Sequence, residues 1–291
     1  MMKIAVAIAT TGRAGVVREA LLRLRGQTRA PDLWVLAGAN PEDVDGMPDA
    51  IPLEIGLTGE KGLCLQRNLA LKMVGERADV LIFFDDDFVA APGFLAGVER
   101  LFSEHPDVMA ATGLVVADGI NSQGFSFEQA DALVAAYGDG DGAAYRVQDT
   151  EGAYGCNMVI RLAAAKGLAF DVKLPLYGWQ EDIDFTSQLS RVGRVVHTTA
   201  FAGVHLGVKS GRTSGKRLGY SQIANPAYLA RKGTLRPRTA LKLAMKNLVA
   251  NLLRSVRPEA YIDRRGRLAG NLIALGDLLL GRADPTRILK L

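Results

Sequence analysis

Two groups of carboxylates mark where this chain could do chemistry. Asp85, Asp86 and Asp87 close the apolar run Val80-Leu81-Ile82-Phe83-Phe84, and Glu181, Asp182 and Asp184 follow Tyr177-Gly178-Trp179-Gln180. Three adjacent acids repel one another, and in a partly buried crevice they stay ionised only when a divalent cation or a donor cluster offsets them. Oxygen ligands favour Mg2+ or Mn2+ over zinc. His205 would complete a site begun by Asp87, since neutral imidazole joins carboxylate readily on Mn2+. A solvated acidic turn and a structural histidine are the alternatives. At the second group, helix starts favour acids for dipole reasons alone. Two aromatics and a glycine directly before them, however, are what a sugar-stacking platform beside a general base needs.

The elements that must position these groups follow from the apolar pattern. The run before Asp85 suits a strand covered on both faces, which puts the acids at the carboxyl end of a strand, where open α/β sheets bind ligands. The turn at Pro92-Gly93 leads into a helix with Phe94, Leu95, Val98, Leu101 and Phe102 inward. Residues 3–9 read as the first buried strand. Thr10, Thr11, Gly12 and Arg13 form a polar loop before a helix whose apolar face is Val17, Ala20, Leu21 and Leu24. Amides at that helix start, with Arg13, suit a phosphate or a base, although the loop is neither a P-loop nor a GxGxxG fingerprint. Residues 33–37 and 52–55 read as further strands. The next helix carries Leu65, Leu69 and Met73 inward, with Gln66, Arg67 and Asn68 on its first turns. Arg67 by itself reads as a surface residue, but it lies just before the acid-bearing strand.

Residues 107–116 read as another strand, and residues 125–137 as a helix over the site. Gly155, Cys156 and Asn157 belong to a small-residue turn entering a strand, which lets a bulky ligand approach the backbone; a packing turn is the alternative. The helix at Glu181 turns Phe185, Leu189 and Val192 inward, and residues 195–197 make a late strand. Lys209, Arg212, Lys216 and Arg217 lie in a glycine- and serine-rich stretch that reads as a mobile loop able to fold over phosphates. From residue 239 to 256 an imperfect amphipathic helix places Leu241, Met245, Leu248 and Leu252 on one side. Such a basic helix packs on its own domain or lies on an anionic membrane. A last helix, residues 268–280, is expected to break at Asp277.

At 291 residues and 48% hydrophobic, the chain supports one large α/β domain or a domain with an appendage. Cys64 and Cys156 stand far apart, which indicates neither a zinc site nor a disulfide framework and fits a cytoplasmic setting. No apolar run approaches membrane-spanning length. The net charge of +4 hides an asymmetry: between Phe185 and Pro258 there are fourteen Lys and Arg and no acid, while the rest carries a net −10. That segregation implies an anionic partner for the later segment.

Taken together, these residues resemble the inverting, nucleotide-sugar-dependent glycosyltransferases of family 2, with the GT-A fold. Residues 4–13 are similar to the first strand and nucleotide loop, Gln66-Arg67-Asn68 to the Arg-Asn helix, and Asp85-Asp86-Asp87 to the DxD motif. Gly155-Cys156-Asn157-Met158 resembles the acceptor-side turn, and Glu181-Asp182-Ile183-Asp184 the ED motif. The resemblance covers about residues 3–207. It implies an α/β, Rossmann-like mixed sheet flanked by helices, with a C-terminal helical extension. The expected division is a catalytic domain over 1–207 (nucleotide half 1–117, acceptor half 118–207), a basic mobile loop and connection over 208–238, and the helical extension over 239–291. Thr10, Thr11, Gly12, Arg13, Arg67, Asn68, Asp85 and Asp86 would then bind the donor, with Asp85 facing the ribose and Arg212 and Lys216 closing over its diphosphate. Asp87, with His205, would hold Mn2+ or Mg2+. Gly155, Cys156, Asn157 and Trp179 would meet acceptor and sugar, and Asp182 would be the base, with Glu181 and Asp184 orienting donor and base. Such enzymes commonly carry a base-reading acid after the second strand, where this chain has Gly38-Ala39-Asn40. The implied partners are a nucleotide-sugar donor, a glycan or lipid-linked acceptor of envelope or exopolysaccharide synthesis, and an anionic membrane touched peripherally from the cytoplasm. A nucleotidyltransferase using the same acids, and a nucleic-acid-binding protein using Tyr220, Tyr228 and Arg231, are the rival readings; no nucleic acid is expected.

Overall fold

Alternating side chains let a strand serve two cores at once. In the computed structural model, which describes residues 2–138, 144–210 and 214–291, Ile4–Thr10 (β1) does so: Ile4, Val6 and Ile8 face one core while Ala5 and Ala7 face the other. β1 pairs in parallel with Leu33–Gly38 (β2) and Val80–Asp85 (β4), and β2 with Leu53–Leu57 (β3). Asn157–Arg161 (β8) runs antiparallel to β4, and Val108–Asp118 (β6) antiparallel to β8. Arg194–His205 (β9) lies parallel to β6 and carries Phe88–Ala90 (β5) and Val147–Asp149 (β7), both antiparallel. The order β3-β2-β1-β4-β8-β6-β9-β5, with β7 on β9, is a mixed nine-stranded sheet.

Helices cover both faces. Ala14–Leu24 (α1) and Phe94–Glu104 (α3) pack on one side, where Phe84, Phe94 and Phe201 interlock with ring centroids 4.9 and 4.6 Å apart. Leu63–Val74 (α2) and Glu181–Leu189 (α5) cover the other, where Phe170 stacks on Phe185 at 4.1 Å. Each such ring, fully buried, contributes about 1.5–3 kcal/mol. Phe127–Tyr137 (α4), opened by a Ser126–Gln129 capping box, packs through Ala130 and Val134 against β5 and β9 rather than over the ligand crevice.

Gly215–Lys232 (α6), Pro237–Arg254 (α7) and Arg264–Leu279 (α8) form the C-terminal helical layer. α6 and α8 approach backbone to backbone. A Cβ on Gly219 would sit 2.1 Å from the Arg267 carbonyl oxygen, and one on Gly270 2.0 Å from that of Lys216, so only glycine fits the crossing. Asn251 at the centre bonds Gln222 and Asn271, and Arg264 bonds Asn251 in turn.

Several expectations change. The basic loop and connection expected over 208–238 consists largely of α6. The expected break at Asp277 does not occur, because its carboxylate is buried and accepts from Tyr220, Arg282 and Arg287. The helix at Glu181 stops at Leu189 and leaves Val192 62% exposed. On α2 the fully buried side chains are Cys64, Gln66, Arg67, Ala70 and Val74, while Leu65, Leu69 and Met73 are only half-buried. No helix among the described residues is long and apolar enough to cross a membrane.

Candidate active site

The crevice opens at the carboxyl ends of β1, β4, β6 and β9, and each contributes a polar group there. A cavity of about 260 Å³ is lined by Arg67, Asp85, Ile120, Tyr154, Gly155, Tyr177, Trp179 and Glu181 to Ile183, among others. Arg67 organises it. Its guanidinium, 2% exposed, meets Glu181 Oε1 at 2.8 Å, Asp85 Oδ1 at 3.1 Å and the Gly155 carbonyl at 2.9 Å, while the Phe83 and Phe170 rings flank it. A planar fork with fixed donors suits three acceptors held in different directions. A Cβ on Gly155 would crowd the Arg67 nitrogens at 3.1 and 3.2 Å and Asp182 Oδ2 at 3.2 Å. The small-residue turn thus admits the protein's own guanidinium.

Asp182 sits at the first turn of α5. Its Oδ2 accepts from the Gly155 amide and its Oδ1 from the Ile183 amide, both at 2.8 Å. Burial raises its pKa; the Arg67 charge and the two amides oppose that rise without cancelling it. Glu181 is pushed well above the ordinary range by burial, against the pull of Arg67, and its Oε2 has no hydrogen-bond partner. Asp184 does not join them. Residues two apart on a helix point about 200° apart, and Asp184 accepts from Thr234 at 2.6 Å and Lys232 at 2.7 Å behind the crevice. It fastens α5 to the C-terminal layer.

The three consecutive acids divide at the turn that follows β4. Asp86 turns inward, accepting from Thr10 Oγ1 at 2.7 Å and pairing with Arg13 at 2.8 Å; its burial, more than its neighbours, raises its pKa to about 7. Asp85 and Asp87 face the crevice together with His205. Ligand atoms of these three lie within 4.8 Å of one another, with His205 Nε2 3.4 Å from Asp87 Oδ1 and 3.8 Å from Asp85 Oδ2. Behind the imidazole, Asp118 Oδ1 lies 3.0 Å from Nδ1, and Tyr154 donates to Asp118 Oδ2 at 3.1 Å. Burial disfavours charge on His205, but Asp118, Asp87 and Asp85 outweigh it and push the imidazole up to about 10. Desolvation would raise Asp87; His205, Arg13 and the Val208 amide instead bring it to about 2. Two carboxylates and one imidazole with its far nitrogen anchored make a donor set that fits Mn2+ or Mg2+. Asp85 thus stands in the cluster that could hold a metal ion, beside Asp87 and His205.

The other expected residues are distributed as follows. Thr11 bonds Gln66, and the Gly12 amide donates to Asp43, whose carboxylate also receives the amides of Ala39 at 3.0 Å and Asn40 at 2.8 Å. An acid therefore does reach the place after β2, from four residues beyond Ala39. Asn68 faces away, exchanging hydrogen bonds with the Phe170 backbone. Asn157 also leaves the acceptor side: it is fully buried and ties β8 to β6 through Thr112 and Gly113. Cys156 is fully buried, and its carbonyl receives the Asp85 amide. Trp179 is half-buried at the crevice, its carbonyl held by Asn225. Lys209 is pinned to the Gly119 and Ile120 carbonyls, Lys216 is exposed on the first turn of α6, and Arg212 lies outside the described residues.

Sequence reading missed Asp118, Tyr154 and Gln180. Gln180 adopts a left-handed conformation (φ 72°) and has a buried Oε1 without a partner. Strained backbone of this kind clusters at ligand sites. No pattern in the chain pairs Asp118 with His205, which stand 87 residues apart.

No protein-family model matches the sequence, and no curated protein matches it. Solved structures do. The mannosyltransferase PcManGT of Pyrobaculum calidifontis, in complex with GDP-Man and Mn2+, superposes with a TM-score of 0.57 at 15% identity, over 99% of this chain and 85% of that one. S. aureus TarS 1-349 in complex with UDP-GlcNAc gives 0.53 at 16% identity, over 99% and 83%. Against a longer TarS structure the TM-score is 0.54 at 14% identity, and the match covers 79% of this chain but only 40% of that one. The chain has the GT-A glycosyltransferase fold.

Proposed function

We propose that the protein is a metal-dependent, inverting glycosyltransferase of the family 2 kind, moving a sugar from a nucleoside-diphosphate sugar to a hydroxyl of a glycan or lipid-linked acceptor. The observation that carries this reading is a single guanidinium: Arg67 ties the metal-facing Asp85 to Glu181, next to Asp182, so a cation site and a candidate base share one crevice. Asp85, Asp87 and His205 would hold Mn2+ or Mg2+, which supplies Lewis-acid neutralisation of the leaving diphosphate. Amides at the start of α1, with Arg13, would receive the nucleotide's phosphates or base.

Asp182 takes the proton of the acceptor hydroxyl as it attacks the anomeric carbon from the face opposite the diphosphate, which inverts that carbon. Two backbone amides hold its carboxylate in place, and each oxygen keeps a lone pair for the hydroxyl. The open acceptors Glu181 Oε2 and Gln180 Oε1 suit sugar hydroxyls. The basic, acid-free segment suits an anionic, lipid-linked acceptor, which supports a role in polysaccharide or cell-envelope glycan synthesis.

The reading is tested by screening nucleotide sugars for Mn2+-dependent hydrolysis, with calorimetry of nucleoside diphosphates in the presence and absence of Mn2+. The expected result is turnover of at least one donor with the wild type, and loss of Mn2+-dependent diphosphate affinity in Asp87→Ala. Metal-independent binding in both proteins would remove the cation from the scheme.

A further inference from the structure

The outer face of α7 carries two adjoining stripes, one apolar and one basic. Leu241, Met245, Val249 and Leu252 recur at helical spacing and are 44–65% exposed, and Val256, just past the helix end, is 82% exposed. At about 100° per residue they span an arc of roughly 80°. Lys242 and Lys246 flank that arc, and Arg257 continues the basic stripe. The opposite face of α7 holds Ala240 and Asn251, both buried in the layer.

Charge decides what fits this face. Four basic residues of the acid-free segment are paired with acids: Arg194 with Asp107 and Asp149, Lys232 with Asp171 and Asp184, Arg236 with Glu151, and Arg254 with Glu259. Lys242, Lys246 and Arg257 make no ion pair with the described residues. A second copy docking face to face would bring these cations against their own kind, with no acid in α7 to separate them. A bilayer bearing anionic headgroups meets both stripes: its acyl boundary takes the leucines and its phosphates take the ammonium groups, which reach outward on long apolar stems. We propose that this face of α7 docks the protein peripherally on an anionic phospholipid bilayer. The surface is separate from the crevice, and its occupancy is read without any sugar transfer.

The test is co-sedimentation of the full chain with vesicles of phosphatidylcholine alone and of phosphatidylcholine with about one-third phosphatidylglycerol. Wild-type protein is expected to pellet with the second and not the first, and to be released by added salt. Lys242→Glu/Lys246→Glu should lower the partition coefficient at least about 25-fold. Leu241→Ser/Leu252→Ser should lower it as well, and both variants should keep the wild-type melting midpoint, since all four side chains are exposed. Equal recovery with both vesicle types would overturn the proposal. So would wild-type recovery of both variants, or a dimer that dissociates in the leucine variant while no vesicle binds.

Discussion

Asp118 Oδ1 lies 3.0 Å from Nδ1 of His205, so the imidazole presents Nε2 to Asp87 and Asp85. A metal-ligating histidine is generally fixed in this way through its second nitrogen, and loss of such a partner costs about 10–100-fold in metal affinity or activity. Asp118→Ala is therefore expected to weaken Mn2+ binding by about that factor, read from the free-ion signal in electron paramagnetic resonance. An unchanged affinity would make Asp118 a purely structural partner.

Asp182→Asn keeps the shape of the side chain and its anchorage to the Gly155 turn but cannot accept a proton. Transfer should fall about 10²-fold or more, while nucleoside diphosphate binding with Mn2+ stays near wild type by calorimetry. Full activity would move the base elsewhere.

The pH profile follows from the direction of the Asp182 shift. Burial raises its pKa, so as pH falls it takes up a proton sooner than an ordinary aspartate would. A base must be ionised to act, so kcat/KM for the donor–acceptor pair is expected to decline on the acid side at a pH above the normal carboxylate range. Measurement of kcat/KM across that range checks it, and activity that persists to the pKa of a free aspartate would contradict the assignment.

Arg67→Met should destabilise the fold by about 3 kcal/mol or more, because it leaves the buried Glu181 carboxylate without its counter-charge. Arg67→Lys is expected to recover little, since one ammonium cannot reach Glu181, Asp85 and the Gly155 carbonyl in the geometry of the fork. Urea unfolding of the two variants gives both numbers. A Lys variant as stable as wild type would show that charge alone suffices.

How much of this was legible in the chain depends on the range of the interaction. Strand β4 and its acids, the helix start at Glu181 and the order of the motifs follow from local pattern: apolar runs, turn residues and the spacing of carboxylates. So did the amphipathic character of α7. The helix α6 was not legible, because glycine, serine and proline at 210–226 argue locally against a helix that packing on α8 then enforces.

Composition could not tell like residues apart. Asp85, Asp86 and Asp87 are identical in type, yet the turn after β4 sends Asp86 to Thr10 and Arg13 and leaves the others in the crevice. Asp182 and Asp184 differ by two positions on one helix, and that angle makes one a candidate base and the other an anchor for Lys232 and Thr234. Arg67 looks like a surface residue in sequence and becomes the most buried cation of the site, since its three acceptors come from β4, the Gly155 turn and α5. Residue type and local order are written in the chain; which side of an element meets the crevice is a matter of register and helix rotation, decided only when distant elements pack together.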